Sequence, residues 1–185
     1  MKTNYGYFAE KYGETWTQQM ELLKGKFSEV ILDVKTPEVG GTIDLPTLVV
    51  KKLAAIDVLS FLKNECGYDF LTDLTATDEH PENAFDARFL LVVHLFSTEQ
   101  KTRIRIKFPC EESESFPTLT NIWPGSNWAE REVFDMFGIR FEGHPDLRRI
   151  LMDSRFEGHP LRKDYPIRGY QVFITPENVE EDLLK

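Results

Sequence analysis

Residues 88–108 read RFLLVVHLFSTEQKTRIRIKF. The first nine, RFLLVVHLF, are almost continuously apolar, with Val92 and Val93 at their centre, and give the strongest strand signal in the chain. A polar stretch, STEQK, follows. The last seven, TRIRIKF, alternate strictly, with Arg103, Arg105 and Lys107 on one face and Ile104, Ile106 and Phe108 on the other. Two such strands joined by a short polar turn predict an antiparallel hairpin with one wet face and one buried face. The buried face needs a second layer, and the flanking sequence supplies helices for it. The expected class is therefore α+β, a small, mostly antiparallel sheet with helices packed on one face.

Working outward, YDFLTDLTAT (68–77) reads as a third strand. Residues 52–65 read as a helix with an apolar stripe of Leu53, Ile56, Leu59 and Leu62 and a stop at Gly67. SEVILDVK (28–35) and LPTLVVK (45–51) read as strands either side of a turn containing Gly40-Gly41. Residues 7–24 carry Phe8, Tyr12, Trp16, Met20 and Leu23 at helical spacing.

On the C-terminal side, NWAEREVFDMFG (127–138) predicts a short helix. Asn127 caps it, Glu130 completes a capping box, Gly138 ends it, and Arg131 is spaced to pair with Asp135. Beyond Gly138 a glycine or proline recurs every few residues, so long elements are excluded apart from a single turn at DLRRILM (146–152). The chain thus divides into an N-terminal helical segment (1–27), an α+β domain (28–138), and an extended C-terminal arm with an acidic tail, ENVEEDLLK (139–185).

The 185 residues carry a net charge of −9, which argues against nucleic acid as a partner. No apolar run of about 18 residues exists to span a bilayer, and the N-terminus lacks the apolar block of a signal peptide. Cys66 and Cys110 form no CxxC pair, so neither a disulfide framework nor a cysteine-ligated iron–sulfur cluster is supported. The basic residues are unevenly spread. Residues 1–129 hold ten Lys and three Arg, whereas residues 130–185 hold seven Arg and two Lys. Arginine tolerates desolvation and is enriched at interfaces, so the C-terminal third reads as a region built for contact.

That region writes the pentapeptide FEGHP twice, at 141–145 and 156–160. His144, Asp146, His159 and Asp164 are conceivable metal ligands, but their spacing matches no ligand motif, and Gly-His-Pro is a good corner in its own right. Glu130, Glu132 and Asp135 crowd one helix as an acid–base set would. No GxSxG, GxGxxG or GxxxxGK accompanies them. Residues 130–168 hold eight acids and eight bases interleaved with Phe134, Met136, Phe137, Phe141, Phe156 and Tyr165, a mixture that suits either a docking surface or an arm closed by its own ion pairs.

EREVFDMFG, the His144 that follows it, then RRIL and GHPLRKDYP (158–166), resemble the signature of the thirty-kilodalton subunit of respiratory complex I, also called its C subunit. The resemblance covers roughly residues 28–170 and rests on Glu130, Arg131, Glu132, Asp135, Met136, Phe137, His144, Arg148, Ile150 and Leu151. It implies a non-catalytic peripheral-arm subunit of the NADH–quinone oxidoreductase, free-standing and not fused to the D subunit, at the cytoplasmic face of the bacterial membrane. It implies no flavin, iron–sulfur cluster or metal in this chain, the FMN and clusters lying in other subunits. Partners would be chiefly the D and B subunits, with the I subunit beside them, around the quinone site. Arg148, Arg149, Arg162 and Lys163 would meet carboxylates on a partner, with His159, Asp164 and Tyr165 in the same arm. The alternatives are the equivalent subunit of a membrane-bound [NiFe] hydrogenase or of a dehydrogenase for the reduced deazaflavin coenzyme, and an autonomous metallohydrolase using His144, Asp146 and His159.

Overall fold

The computed structural model describes residues 4–35, 45–82 and 84–169, with the backbone alone for 4–14 and 84. The hairpin forms as the alternation requires. Strand β4 (Phe89–Phe96) pairs antiparallel with β5 (Arg103–Cys110), Phe89 opposite Cys110 and Phe96 opposite Arg103. Strand β3 (Phe70–Asp78) adds antiparallel to β4, and β2 (Thr47–Val50) lies parallel to β5. Strand β1 (Ile31–Lys35) pairs antiparallel with β2 at one edge, completing the order β1-β2-β5-β4-β3. The Gly40-Gly41 turn predicted between β1 and β2, and the tail beyond residue 169, lie outside the described residues.

One face of this sheet carries the core: Leu48, Val50, Leu74, Ala76, Phe89, Leu91, Val93, Leu95, Ile104, Ile106 and Phe108. Helices α1 (Asn4–Phe27), α2 (Ala55–Asn64) and α3 (Ser126–Phe137) all contribute side chains to it. From α1 come Trp16, Met20 and Leu23, while Gln19 accepts a hydrogen bond from the Tyr68 hydroxyl at 2.9 Å. The N-terminal helix therefore shares the core of the sheet domain, and no break in packing marks residue 27.

Two local expectations are corrected. The buried stripe of α2 is Ala55, Val58, Leu59 and Leu62. Residues 52–54 form a 3-10 turn that aims Leu53 into solvent, 93% exposed, and Ile56 lies at the helix margin. The outer sheet face is also not uniformly wet. Val49, Lys107 and Val92 sit side by side in register, and both valines are buried. The Lys107 stem lies in this row, and burial lowers the pKa of its ammonium.

Strand β6 (Ser115–Pro117) pairs parallel with β7 (Arg140–Glu142) in a separate two-stranded sheet. Its centre is Phe116, which meets Phe108 of the main sheet at 5.3 Å between ring centroids and Phe141 at 6.1 Å. Ile139 and Phe141 belong to the core, so the segment after α3 starts inside the domain.

Candidate partner-binding surface

Helix α3 carries Glu130, Arg131, Glu132 and Asp135 and anchors His144, Arg149 and His159, whereas Arg162, Lys163 and Asp164 are held at the sheet. The helix begins at Ser126, with Gly125 before it and no side-chain cap. The capping box expected from Asn127 and Glu130 does not form, because Glu130 is drawn inward. Its fully buried carboxylate accepts from the Thr118 hydroxyl (2.7 Å), the Leu119 amide (2.8 Å) and the Ser126 hydroxyl (2.7 Å). A buried carboxylate must be hydrogen-bonded, and these three donors hold the 118–119 loop against the start of the helix.

Asp135 lies five residues on, roughly 140° around the helix axis. It holds the chain that follows. One carboxylate oxygen, Oδ2, accepts the amides of Ile150, Leu151 and Met152 at 3.0, 2.8 and 2.9 Å, and Oδ1 accepts from the Arg149 guanidinium at 2.7 Å. Burial alone would raise its pKa. The three amides and the guanidinium outweigh that and hold the carboxyl below its usual range. Arg131, one turn earlier, donates to the carbonyls of Arg148 (3.1 Å) and Arg149 (3.2 Å). The predicted Arg131–Asp135 pair is therefore replaced. Arg131 satisfies arm carbonyls and Asp135 satisfies arm amides, so residues 148–152 dock on the helix with the backbone bending around the Asp135 carboxylate at 150–152. The helical turn predicted at 146–152 is absent.

The two FEGHP copies bind opposite ends of α3. His144 approaches the Asn127 carbonyl through Nε2 (3.3 Å) and accepts the Asp146 amide on Nδ1 (3.0 Å). His159 donates from Nδ1 to the Asp135 carbonyl (3.0 Å), and the Leu161 amide donates to the Met136 carbonyl (3.1 Å). These last two bonds satisfy carbonyls that a helix end leaves unpaired. Burial lowers the His159 pKa. The His159 ring lies over Gly138, which ends the helix at φ 82°. A Cβ there would come within 2.7 Å of the imidazole. Among the described residues no three His, Cys, Asp or Glu side chains gather in a metal-binding group.

The arm's far end is tied to the sheet. Arg88 donates to Asp78 (3.2 Å), Glu112 (2.6 Å) and Asp164 (2.8 Å), while Arg162 bonds Glu112 and Asp164. The Lys163 amide donates to Asp78 at 2.9 Å. Tyr165 packs on Phe156 at 5.7 Å. Arg149 and Arg162, expected to find partner carboxylates, find Asp135, Glu112 and Asp164 of their own chain. The reason is local: a desolvated carboxylate such as Asp135 is compensated by the nearest cation. Arg148 pairs with its neighbour Asp146 yet stays 74% exposed, and Glu132 is exposed. Sequence patterning did not point to Trp128, 61% exposed with the Arg131 guanidinium 5.3 Å from its ring centroid, or to Leu151, 62% exposed, as surface features. Nor did it point to Arg88, Asp78 and Glu112, for which no spacing motif exists.

Residues 48–171 match the family described as respiratory-chain NADH dehydrogenase, 30 Kd subunit. The C subunit of NADH-quinone oxidoreductase from Trichlorobacter lovleyi is 50% identical over 151 residues, covering 81% of this chain and 89% of that one. The C/D subunit of NADH-quinone oxidoreductase from Acinetobacter baylyi is 45% identical over 165 residues, 86% of this chain and 27% of that one. Among solved structures, a trypsin-resistant fragment of Nqo5 superposes with a TM-score of 0.60 at 25% identity, over 72% of this chain and 99% of the fragment. A chain of an archaeal respiratory membrane complex, the membrane-bound sulfane sulfur reductase, shares the fold with a TM-score of 0.66 at 24% identity, over 94% of this chain and 92% of that one.

Proposed function

This chain belongs to the 30 kDa subunit family of respiratory-chain NADH dehydrogenase, and on that premise we propose that it is a non-catalytic scaffold of the NADH–quinone oxidoreductase that holds the D and B subunits near the quinone site. The observation that carries the choice of D is the relative named as a C/D subunit, in which both letters belong to one polypeptide. Fusion places two partners at high effective concentration, which is useful where they act side by side.

The role of the chain is then geometric. Electron transfer between neighbouring subunits depends on their separation, and a rigid wedge fixes separations. Two properties favour such a wedge. The arm through residue 169 is held to its domain by carboxylates and guanidinium groups, so little ordering entropy remains to be lost on docking. The same segment leaves Arg148 and Leu151 exposed, and α3, on which it docks, exposes Trp128 and Glu132, with Trp and Arg among the side chains that anchor interfaces. The FMN and iron–sulfur clusters belong to other subunits in this reading. The chain reaches the cytoplasmic face of the membrane through its partners, since no helix among the described residues is long and apolar enough to cross one.

The deciding experiment is affinity purification of the tagged chain from solubilised membranes, with co-purifying subunits identified by mass. The D and B subunits are the expected companions. Recovery of the chain alone, or with a nickel-containing hydrogenase subunit, would overturn the assignment.

A further inference from the structure

Between the outer side of α3 and the bend at residues 148–154 lies an open cavity of about 580 Å³, lined by Arg131, Phe134, Arg148, Arg149, Met152 and Ser154. Its walls combine two chemistries. Phe134 and Met152 are half-buried and apolar. The rest of the lining brings three guanidinium groups together, each with five N–H donors. Arg131 uses two of its nitrogens on the carbonyls of 148 and 149, Arg149 uses two on Asp135 and the Gly158 carbonyl, and Arg148 uses two on Asp146. Donors remain on all three. The lining itself holds three cations and no carboxylate. The acids bonded to these arginines lie behind it: Asp135 is fully buried and accepts four hydrogen bonds, and Asp146 lies against Arg148, while Glu132 stands exposed on α3 outside the lining.

We infer that this pocket receives an aspartate or glutamate side chain from a neighbouring subunit, an inference that rests on the scaffold reading above. Forked guanidinium donors match a carboxylate, and an apolar wall beside them suits its methylene stem. The surface next to the lining favours a protein over a small anion. Trp128, whose ring centroid lies 5.3 Å from the Arg131 guanidinium, and Leu151, adjacent in the chain to Met152, are each more than 60% exposed; a small anion in the pocket would leave them bare, whereas a polypeptide segment covers them.

The test compares the tagged full-length chain with Arg148→Glu and Arg155→Glu, purified from solubilised membranes. Arg148 is exposed and paired only with its neighbour Asp146, so charge reversal leaves the melting temperature within about a degree or two of the parent. Arg155 pairs in the same manner with Asp153 and does not line the pocket. Arg155→Glu is expected to recover the same subunits as the parent, and Arg148→Glu at least about fivefold less, because a like charge now faces the incoming carboxylate. A parent chain that recovers no subunit overturns the scaffold reading itself. Equal recovery by parent and Arg148→Glu overturns the pocket alone. Should Arg148→Glu melt early, a photo-crosslinking residue at Ser154 in the otherwise unchanged chain decides. An acidic peptide of another subunit is the expected adduct, and a peptide without Asp or Glu, or no adduct, overturns the inference.

Discussion

The sheet domain and the segment from 143 to 169 are ordered by different physics. The domain buries a continuous apolar core between one sheet face and three helices. The segment buries little: Leu147 and Met152 touch the core, while Leu151, Leu161 and Ile167 face solvent. It is held by backbone amides and carbonyls that end on buried or half-buried charges: Asp135, Arg131 and Asp78. Non-directional burial tolerates small rearrangements. A carboxylate accepting three consecutive amides does not, so the less apolar region has the more narrowly specified backbone.

The contrast is broken most severely by Phe116→Ala, because Phe116 packs between the main sheet and Phe141. A loss of about 4 kcal/mol is expected, with domain and arm unfolding together in chemical denaturation. Asp135→Asn should cost about 3 kcal/mol, since it removes the charge that balances Arg149 and weakens the bonds to three amides. Limited proteolysis should then cut between residues 147 and 169 before the domain melts. Simultaneous loss of both would show one cooperative unit. Gly138→Ala should cost about 2 kcal/mol, because φ 82° is strained for alanine and the new methyl displaces the His159 ring. A thermal melt beside the chemical shift of His159 reads both effects.

Acid gives a smaller, graded effect. The Asp135 carboxyl is held below its ordinary value of 3.8, so its contribution is complete above that value and is lost as the pH falls below it toward the folded pKa. Protease sensitivity of residues 147–169 should therefore rise below about pH 4 in the parent and show no such step in Asp135→Asn. Smallest of all, Arg155→Ala should change stability by less than about 0.5 kcal/mol, because its pair with Asp153 is exposed.

The sheet was legible where alternation was clean. Ile104, Ile106 and Phe108 point inward as TRIRIKF predicts. The α2 stripe misled because Leu53 and Ile56 share helical spacing with Leu59 and Leu62, and spacing alone does not reveal that the helix starts three residues later. The charges of α3 were legible as a cluster and illegible as pairs. Arg131 and Asp135 have the spacing of a helix pair, but competing donors from residues 148–152 were invisible without the fold. The same holds for FEGHP. Its recurrence was plain in the sequence, while the helix seated between the two histidines appears only in three dimensions.

Asp135 precedes its four donors by 14 to 17 residues. During synthesis the carboxylate thus leaves the ribosome before the amides it will receive. Until they follow, the Asp135 carboxylate lacks the three amides and the guanidinium that compensate it in the folded chain. The domain therefore completes its electrostatics only after residue 152 has emerged, and a message truncated before codon 149 would leave a helix with a reason to turn outward.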